Sequence, residues 1–174
     1  MRAFIAMALP DEVRLALMEL QRDLATSRAD VKWVGPSQLH LTLRFLGEVT
    51  DEQRGAVERL LAQVGQRHAP FSLRLNGVGA FPSPGAPRVV WVGVTEGQAE
   101  VTQLAKTLEE GLQGLGLPKA ERPFSAHVTL GRVRSPRRRQ PLTALLPEAP
   151  WRPPAAFRVE AMRLYQSVLS PQGP

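Results

Sequence analysis

The phrase His-apolar-Thr-apolar occurs twice in this chain, as His40-Leu41-Thr42-Leu43 and as His127-Val128-Thr129-Leu130. The two histidines stand half of the 174 residues apart. Each copy runs on into a glycine, Gly47 in the first and Gly131 in the second. Alternation of this kind marks a half-buried β-strand, where side chains two apart share a face at a spacing of about 7 Å. His40 and Thr42 then look one way and Leu41 and Leu43 the other, and the second copy repeats the arrangement. Each strand is expected to bury its aliphatic face and to present an imidazole beside a hydroxyl on the open one. If the halves fold alike across a pseudo-two-fold axis, both pairs converge on one cleft. A lone copy would mean little, because threonine is common in strands. Two copies in like context, using two of only three histidines, point to a site.

The remaining pattern places these strands in an α+β chain. Residues 2–8 form an apolar strand, and Pro10-Asp11-Glu12 opens a helix whose stripe is Val13, Leu17, Leu20 and Leu24. Val31–Val34 is a strand, and the first motif strand spans about 39–46. Thr50-Asp51-Glu52-Gln53 has the form of a capping box, starting a helix that runs to about Gln66. His68 lies just past its end, where a cation near the helix C-terminus needs no other explanation. Phe71–Leu75 alternates as a strand, and the glycines and prolines of 77–85 predict a loop, with Phe81 plugging it onto the core or, as a functional residue, stacking on a base. Val89–Val94 reads as a continuous apolar, well-buried strand, and 97–113 as a third helix with Val101, Leu104, Leu108 and Leu112 inward. The second motif strand spans about 126–133. It is followed by an arginine-rich loop, a proline-rich stretch to Pro154, one last strand over 157–165 and a loose tail after Leu169.

Several function classes drop out. The chain has no cysteine, so disulfides, thiolate metal sites and a cysteine nucleophile are excluded. Two histidines without a third ligand do not make a catalytic zinc site, and no metal is expected. No Gly-x-Ser-x-Gly elbow, phosphate loop or dinucleotide fingerprint is present. The N-terminus resembles a signal peptide superficially, but its apolar core is short and Asp11 and Glu12 follow at once. No apolar run reaches membrane-spanning length, so no membrane association and a cytoplasmic location are expected.

What remains is acid–base chemistry on an anion. The net charge is +6, and Arg122, Arg132, Arg134, Arg137, Arg138 and Arg139 crowd a segment without an acid, which favours a polyanionic partner. Histidine titrates near neutrality, so of two imidazoles in one pocket one can be neutral while the other is charged. That suits cleavage of a phosphodiester, one ring taking a proton from the attacking oxygen and the other protonating the leaving oxygen. Thr42 and Thr129 can donate to the non-bridging oxygens, and Arg132 can add a charge-assisted bond. Chemistry alone leaves open which histidine is acid and which is base.

The two His-x-Thr-x frames are similar to the signatures of the 2H phosphoesterase superfamily. The flanks Leu43-Arg44-Phe45-Leu46-Gly47-Glu48 and Arg122-Pro123-Phe124-Ser125-x-His127-Val128-Thr129-Leu130-Gly131-Arg132 resemble its RNA 2′,3′-cyclic phosphodiesterase branch, also called 2′–5′ RNA ligase. The opening Arg2-Ala3-Phe4-Ile5-Ala6 and the approach from Trp33 to His40 fit as well. The resemblance implies one domain over 1–174 with two pseudo-symmetric lobes. Each lobe would be an antiparallel sheet with helices on its outer face, around a central cleft. It also implies metal-free hydrolysis of a 2′,3′-cyclic phosphate to a 2′-phosphate, with no cofactor. His40 would be the proton donor and His127 the proton acceptor, with Thr42, Thr129 and Arg132 on the phosphate. RNA or nucleotides with cyclic ends are the expected partners, and a monomer the expected state. Phe45 shares the parity of Leu41 and Leu43 and is expected in the core. The alternatives are 2′–5′ RNA ligation at the same site, or a non-catalytic nucleotide- or RNA-binding module on the same fold.

Overall fold

The computed structural model describes residues 1–149 and 151–168. The tail expected to be loose after Leu169 therefore lies outside the described residues. In chain order the elements are β1 (Arg2–Ala8), α1 (Asp11–Ala25), β2 (Val31–Trp33), β3 (His40–Glu48), α2 (Asp51–Arg67), β4 (Phe71–Phe81), β5 (Val89–Glu96), α3 (Gln98–Gly114), β6 (His127–Val133), α4 (Arg139–Leu145), β7 (Phe157–Val159) and β8 (Arg163–Ser167). The strands form two antiparallel sheets, one ordered β3-β1-β8 and one ordered β2-β6-β5-β4-β7. Neither sheet draws on one half of the chain: β2 and β4 join the larger sheet, and β8 completes the smaller one.

The longer helices form where apolar periodicity runs at helical spacing, and α2 adds a side-chain cap. Asp11 and Glu12 occupy the first turn of α1, and Val13, Leu17, Leu20 and Leu24 are buried with Gln21. Thr50 and Gln53 make the reciprocal capping box at the start of α2. Helix α3 buries Val101, Leu104, Ala105, Leu108 and Leu112, and Leu60 of α2 packs against Gly111 of α3. Among the described residues no helix is long and apolar enough to cross a membrane.

Three expectations are corrected. Residues 77–81 are strand, not loop. Gly77 takes a φ of +80° as the unpaired residue between Asn76 and Val78, and Gly79 lies beneath the Trp91 ring, where a Cβ would stand 2.4 Å from Cη2. The glycines thus serve a bulge and a close approach rather than a turn. Strand β5 is buried on one face only: Val90, Val92 and Val94 face the core, while Val89, Trp91 and Gly93 are half-buried. The last strand is two strands, because β7 pairs with β4 in one sheet and β8 with β1 in the other. The arginine run forms an exposed loop over 134–138, as expected, and α4 begins at Arg139. The loop is fastened to residues 27–31, with the Arg134 amide donating to the Asp30 carbonyl at 2.8 Å and Arg138 Nε to the Ser27 carbonyl at 2.9 Å.

Candidate active site

Both motif copies open a strand, His40 as the first residue of β3 and His127 as the first of β6. β3 is an edge strand of the smaller sheet. β6 has β2 beside it only at Gly131–Val133, and β3 comes alongside β6. The two motifs therefore sit on adjoining strands. In each, the aliphatic residues are buried (Leu41, Leu43, Val128 and Leu130) and the histidine and threonine are half-buried.

The two strands share a further feature. Beside β1, Ala6 opposes Thr42 and Ile5 opposes Arg44, which leaves Leu43 without a partner. Beside β5, Trp91 opposes Thr129 and Val90 opposes Gly131, which leaves Leu130 without one. Each motif thus carries a β-bulge at its fourth residue. A bulge adds one residue and reverses the alternation beyond it. In β3 the reversal brings Phe45 onto the His40 face, opposite Phe4. Phe45 is accordingly 63% exposed, and the expectation that it fills the core is overturned. In β6 it brings Arg132 onto the face of His127 and Thr129, opposite Val89. Arg44 turns the other way and pairs with Glu109 of α3 at 2.6 Å. Burial pushes the Glu109 carboxyl up, but hydrogen bonds from Arg44, the Ala120 amide and Gln113 outweigh it and hold it below its ordinary value.

The second bulge is held by a buried amide. Gln21 Nε2 donates to the carbonyls of Leu130 and Val34, each at 2.9 Å, and the Val34 amide also donates to Leu130 at 2.8 Å. The unpaired Leu130 carbonyl is thereby satisfied from α1 and from the end of β2. The signal in the sequence is a polar residue within an apolar stripe. Gln21→Leu is expected to destabilise the protein by about 1–3 kcal/mol, since it takes the side-chain donor from the Val34 carbonyl and one of two donors from the buried Leu130 carbonyl. The urea midpoint measures this; an unchanged midpoint would mean the amide does not hold the bulge.

The two imidazoles have different surroundings. His40 lies parallel to Phe4 and Tyr165, with centroids 4.9 and 5.6 Å away. Burial alone pushes its pKa below the ordinary value. His127 meets Phe81 edge-on at 5.1 Å, and Trp91 lies behind at 6.4 Å. Phe81 therefore stands against the second histidine instead of plugging the core. The Nδ1 atom of His127 lies 2.6 Å from the Ser125 carbonyl oxygen. A carbonyl only accepts, so Nδ1 carries the proton, and in the neutral ring Nε2 keeps a free lone pair. Burial lowers the pKa of His127, the Ser125 bond opposes that, and the Arg132 charge lowers it further.

Among the described residues, neither the Thr42 nor the Thr129 hydroxyl appears in a hydrogen bond within the protein, and Arg132 makes no ion pair. Nor do three or more His, Asp or Glu side chains gather where they could hold a metal. His68 caps the end of α2, apart from both motif strands. Phe4, Phe45, Phe81, Trp91 and Tyr165 are the additions that strand pairing makes to the site residues read from sequence.

Comparison with known proteins identifies the family and the fold. The model of the 2′-5′ RNA ligase superfamily matches residues 9–169. A protein of Archaeoglobus fulgidus named RNA 2′,3′-cyclic phosphodiesterase is 38% identical over 174 residues, covering 100% of this chain and 95% of the relative. The crystal structure of TT0787 of Thermus thermophilus matches with a TM-score of 0.83 at 36% identity, over 100% of this chain and 92% of that one. Escherichia coli LigT complexed with 3′-AMP matches with a TM-score of 0.74 at 29% identity, over 97% and 89%. The chain belongs to the 2′-5′ RNA ligase superfamily.

Proposed function

We propose that this protein is an RNA 2′,3′-cyclic phosphodiesterase, which opens a 2′,3′-cyclic phosphate end to a 2′-phosphate without a metal ion. The observation that carries this is the pair of imidazoles in repeated, bulged frames on adjoining strands, one of them fixed as the Nδ1–H tautomer. Its relative in Archaeoglobus fulgidus bears the name of that activity. Water attacks phosphorus and gives its proton to His127 Nε2. The bond from phosphorus to the 3′ oxygen breaks, and His40 supplies that oxygen with a proton. The product carries a 2′-phosphate and a free 3′-hydroxyl, and solvent resets the two rings. Thr42, Thr129 and Arg132 donate to the non-bridging oxygens, where charge shifts in the transition state.

The direct test is incubation with 2′,3′-cyclic AMP in EDTA, with the product identified by chromatography. A 2′-phosphate is expected; no turnover on either the mononucleotide or a short RNA sinks the proposal. Within this mechanism the free enzyme needs His127 neutral and His40 charged. Both pKa values lie below the ordinary histidine value of about 6.5. The maximum of kcat/KM is therefore expected below pH 6.5, with a fall of about tenfold per pH unit on the alkaline side. A bound phosphate anion favours both imidazolium forms, so the kcat profile should lie at higher pH. A kcat/KM maximum above pH 8 would contradict the assignment.

The superfamily's name favours a second reaction at the same site. There the 5′-hydroxyl of another RNA strand replaces water and a 2′–5′ linkage forms. A joined product from two RNA halves would identify it.

A further inference from the structure

We propose that an RNA strand is held beyond its reacting end by a basic groove at the far end of β6, which takes a backbone phosphate. The inference rests on the cyclic phosphodiesterase reading for the nature of the strand's end.

The groove has a volume of about 320 Å³ and is lined by Arg88, Arg134 and Arg139, with Ser135 and without an acidic residue. Arg88 is exposed and Arg139 half-buried, and among the described residues neither makes an ion pair. Arg134 is shared with Asp30 at 3.2 Å. The walls are fastened rather than loose. The Val133 amide donates to the Arg88 carbonyl at 2.8 Å, the Asp30 amide to the Arg137 carbonyl at 3.3 Å, and the Arg139 amide to the Pro136 carbonyl at 3.1 Å. The backbone that carries these arginines is thus held in place before an anion arrives.

Its position gives the substrate class. β6 carries His127 and Thr129 at one end, then Arg132 on the same face, and leads directly into Arg134. At about 3.3 Å per residue, and with the bulge at Leu130 adding no length, the seven steps from His127 to Arg134 cover roughly 20 Å. That is the reach of a few nucleotides, and too far for a mononucleotide whose phosphate sits between the histidines. A free phosphate or a lone nucleotide could fill the groove but would gain nothing from the motif end. Only a strand engages both at once. The groove thus selects RNA ends over small cyclic nucleotides.

The test compares wild type with Arg88→Ala/Arg139→Ala on 2′,3′-cyclic AMP and on a hexanucleotide ending in a 2′,3′-cyclic phosphate. On the mononucleotide the variant should match wild type within about twofold. On the hexanucleotide its KM should rise about tenfold, and the slope of log K against log salt should flatten by about 0.7 for each phosphate that the variant no longer neutralises. Arg59→Ala removes an exposed charge on α2 and should leave both substrates unaffected. Equal losses on both substrates, no loss on the hexanucleotide, or the same loss from Arg59→Ala would overturn the groove. Fluorescence anisotropy with a hexanucleotide ending in a 2′-phosphate needs no turnover, so it separates this proposal from the catalytic one. Weaker binding by the variant supports the groove even if wild type is inactive; unchanged binding refutes it.

Discussion

Replacing His127 by alanine is expected to lower kcat on 2′,3′-cyclic AMP by about a thousandfold, within the range of about 10²–10⁴ that a positioned general base contributes. KM should change little. The alanine variant keeps Thr42, Thr129 and Arg132 to hold the phosphate, and it removes a group whose gain comes in the transition state. In the proposed mechanism His127 is the base by its likeness to the superfamily's second motif, and the Nδ1–H tautomer suits that role. With Nδ1–H committed to the Ser125 carbonyl, Nε2 is the ring atom left to receive a proton; burial and the Arg132 charge disfavour the cation, while the Ser125 bond favours it. His127→Gln should be as impaired as His127→Ala, since an amide cannot serve as a base. The double variant with His40→Ala should lose little more than the worse single one, as groups acting together do not add. Steady-state kinetics decides: a His127→Ala protein retaining about a tenth of wild-type kcat would remove this residue from the proton transfer.

How far the site can be read from sequence depends on the range over which alternation holds. His40 with Thr42, and His127 with Thr129, lie two apart on uninterrupted strand, and period two puts each pair on one face. The next step fails in both copies for one reason. An extra residue at Leu43 or Leu130 leaves no mark in hydropathy, because the bulged leucine is buried like the aliphatic residue two positions before it. Period two therefore assigns Phe45 to the wrong face. Arg132 is picked out by its charge and its likeness to a known motif, while its parity points away from the histidines. The aromatic partners are illegible for a different reason. Tyr165 reaches His40 only because β8 leaves the strand it seems to continue and pairs with β1, which is a long-range choice. The neighbours of Phe81 follow from a strand that runs through two glycines, where local pattern reads a loop. The helices are legible, α2 with its cap, because capping and 3.6-residue periodicity are local. α4 is the exception, since Pro141 and the arginines obscure a short helix that buries only Leu142 and the residue after its end, Leu146.

The second large effect separates acid from base. His40→Ala should also lower kcat by about 10²–10³ on the natural cyclic phosphate, because the 3′ oxygen would then leave as an alkoxide. A substrate with sulfur in place of the bridging 3′ oxygen changes the outcome. A thiolate is a far weaker base than an alkoxide and departs without a proton, so the general acid becomes dispensable. On that substrate His40→Ala should recover to within about tenfold of wild type, while His127→Ala should stay as impaired as before. The stacking of Phe4 and Tyr165 on His40 fits the donor's role. A buried imidazolium is a stronger acid than an exposed one, and its ring is held in one plane by its neighbours. If the sulfur substrate instead restores His127→Ala and leaves His40→Ala impaired, the two roles are reversed. If it restores neither, the histidines act by holding the phosphate rather than by moving protons. Each outcome is read from the ratio of kcat on the two substrates, in which losses of folding or binding common to both cancel.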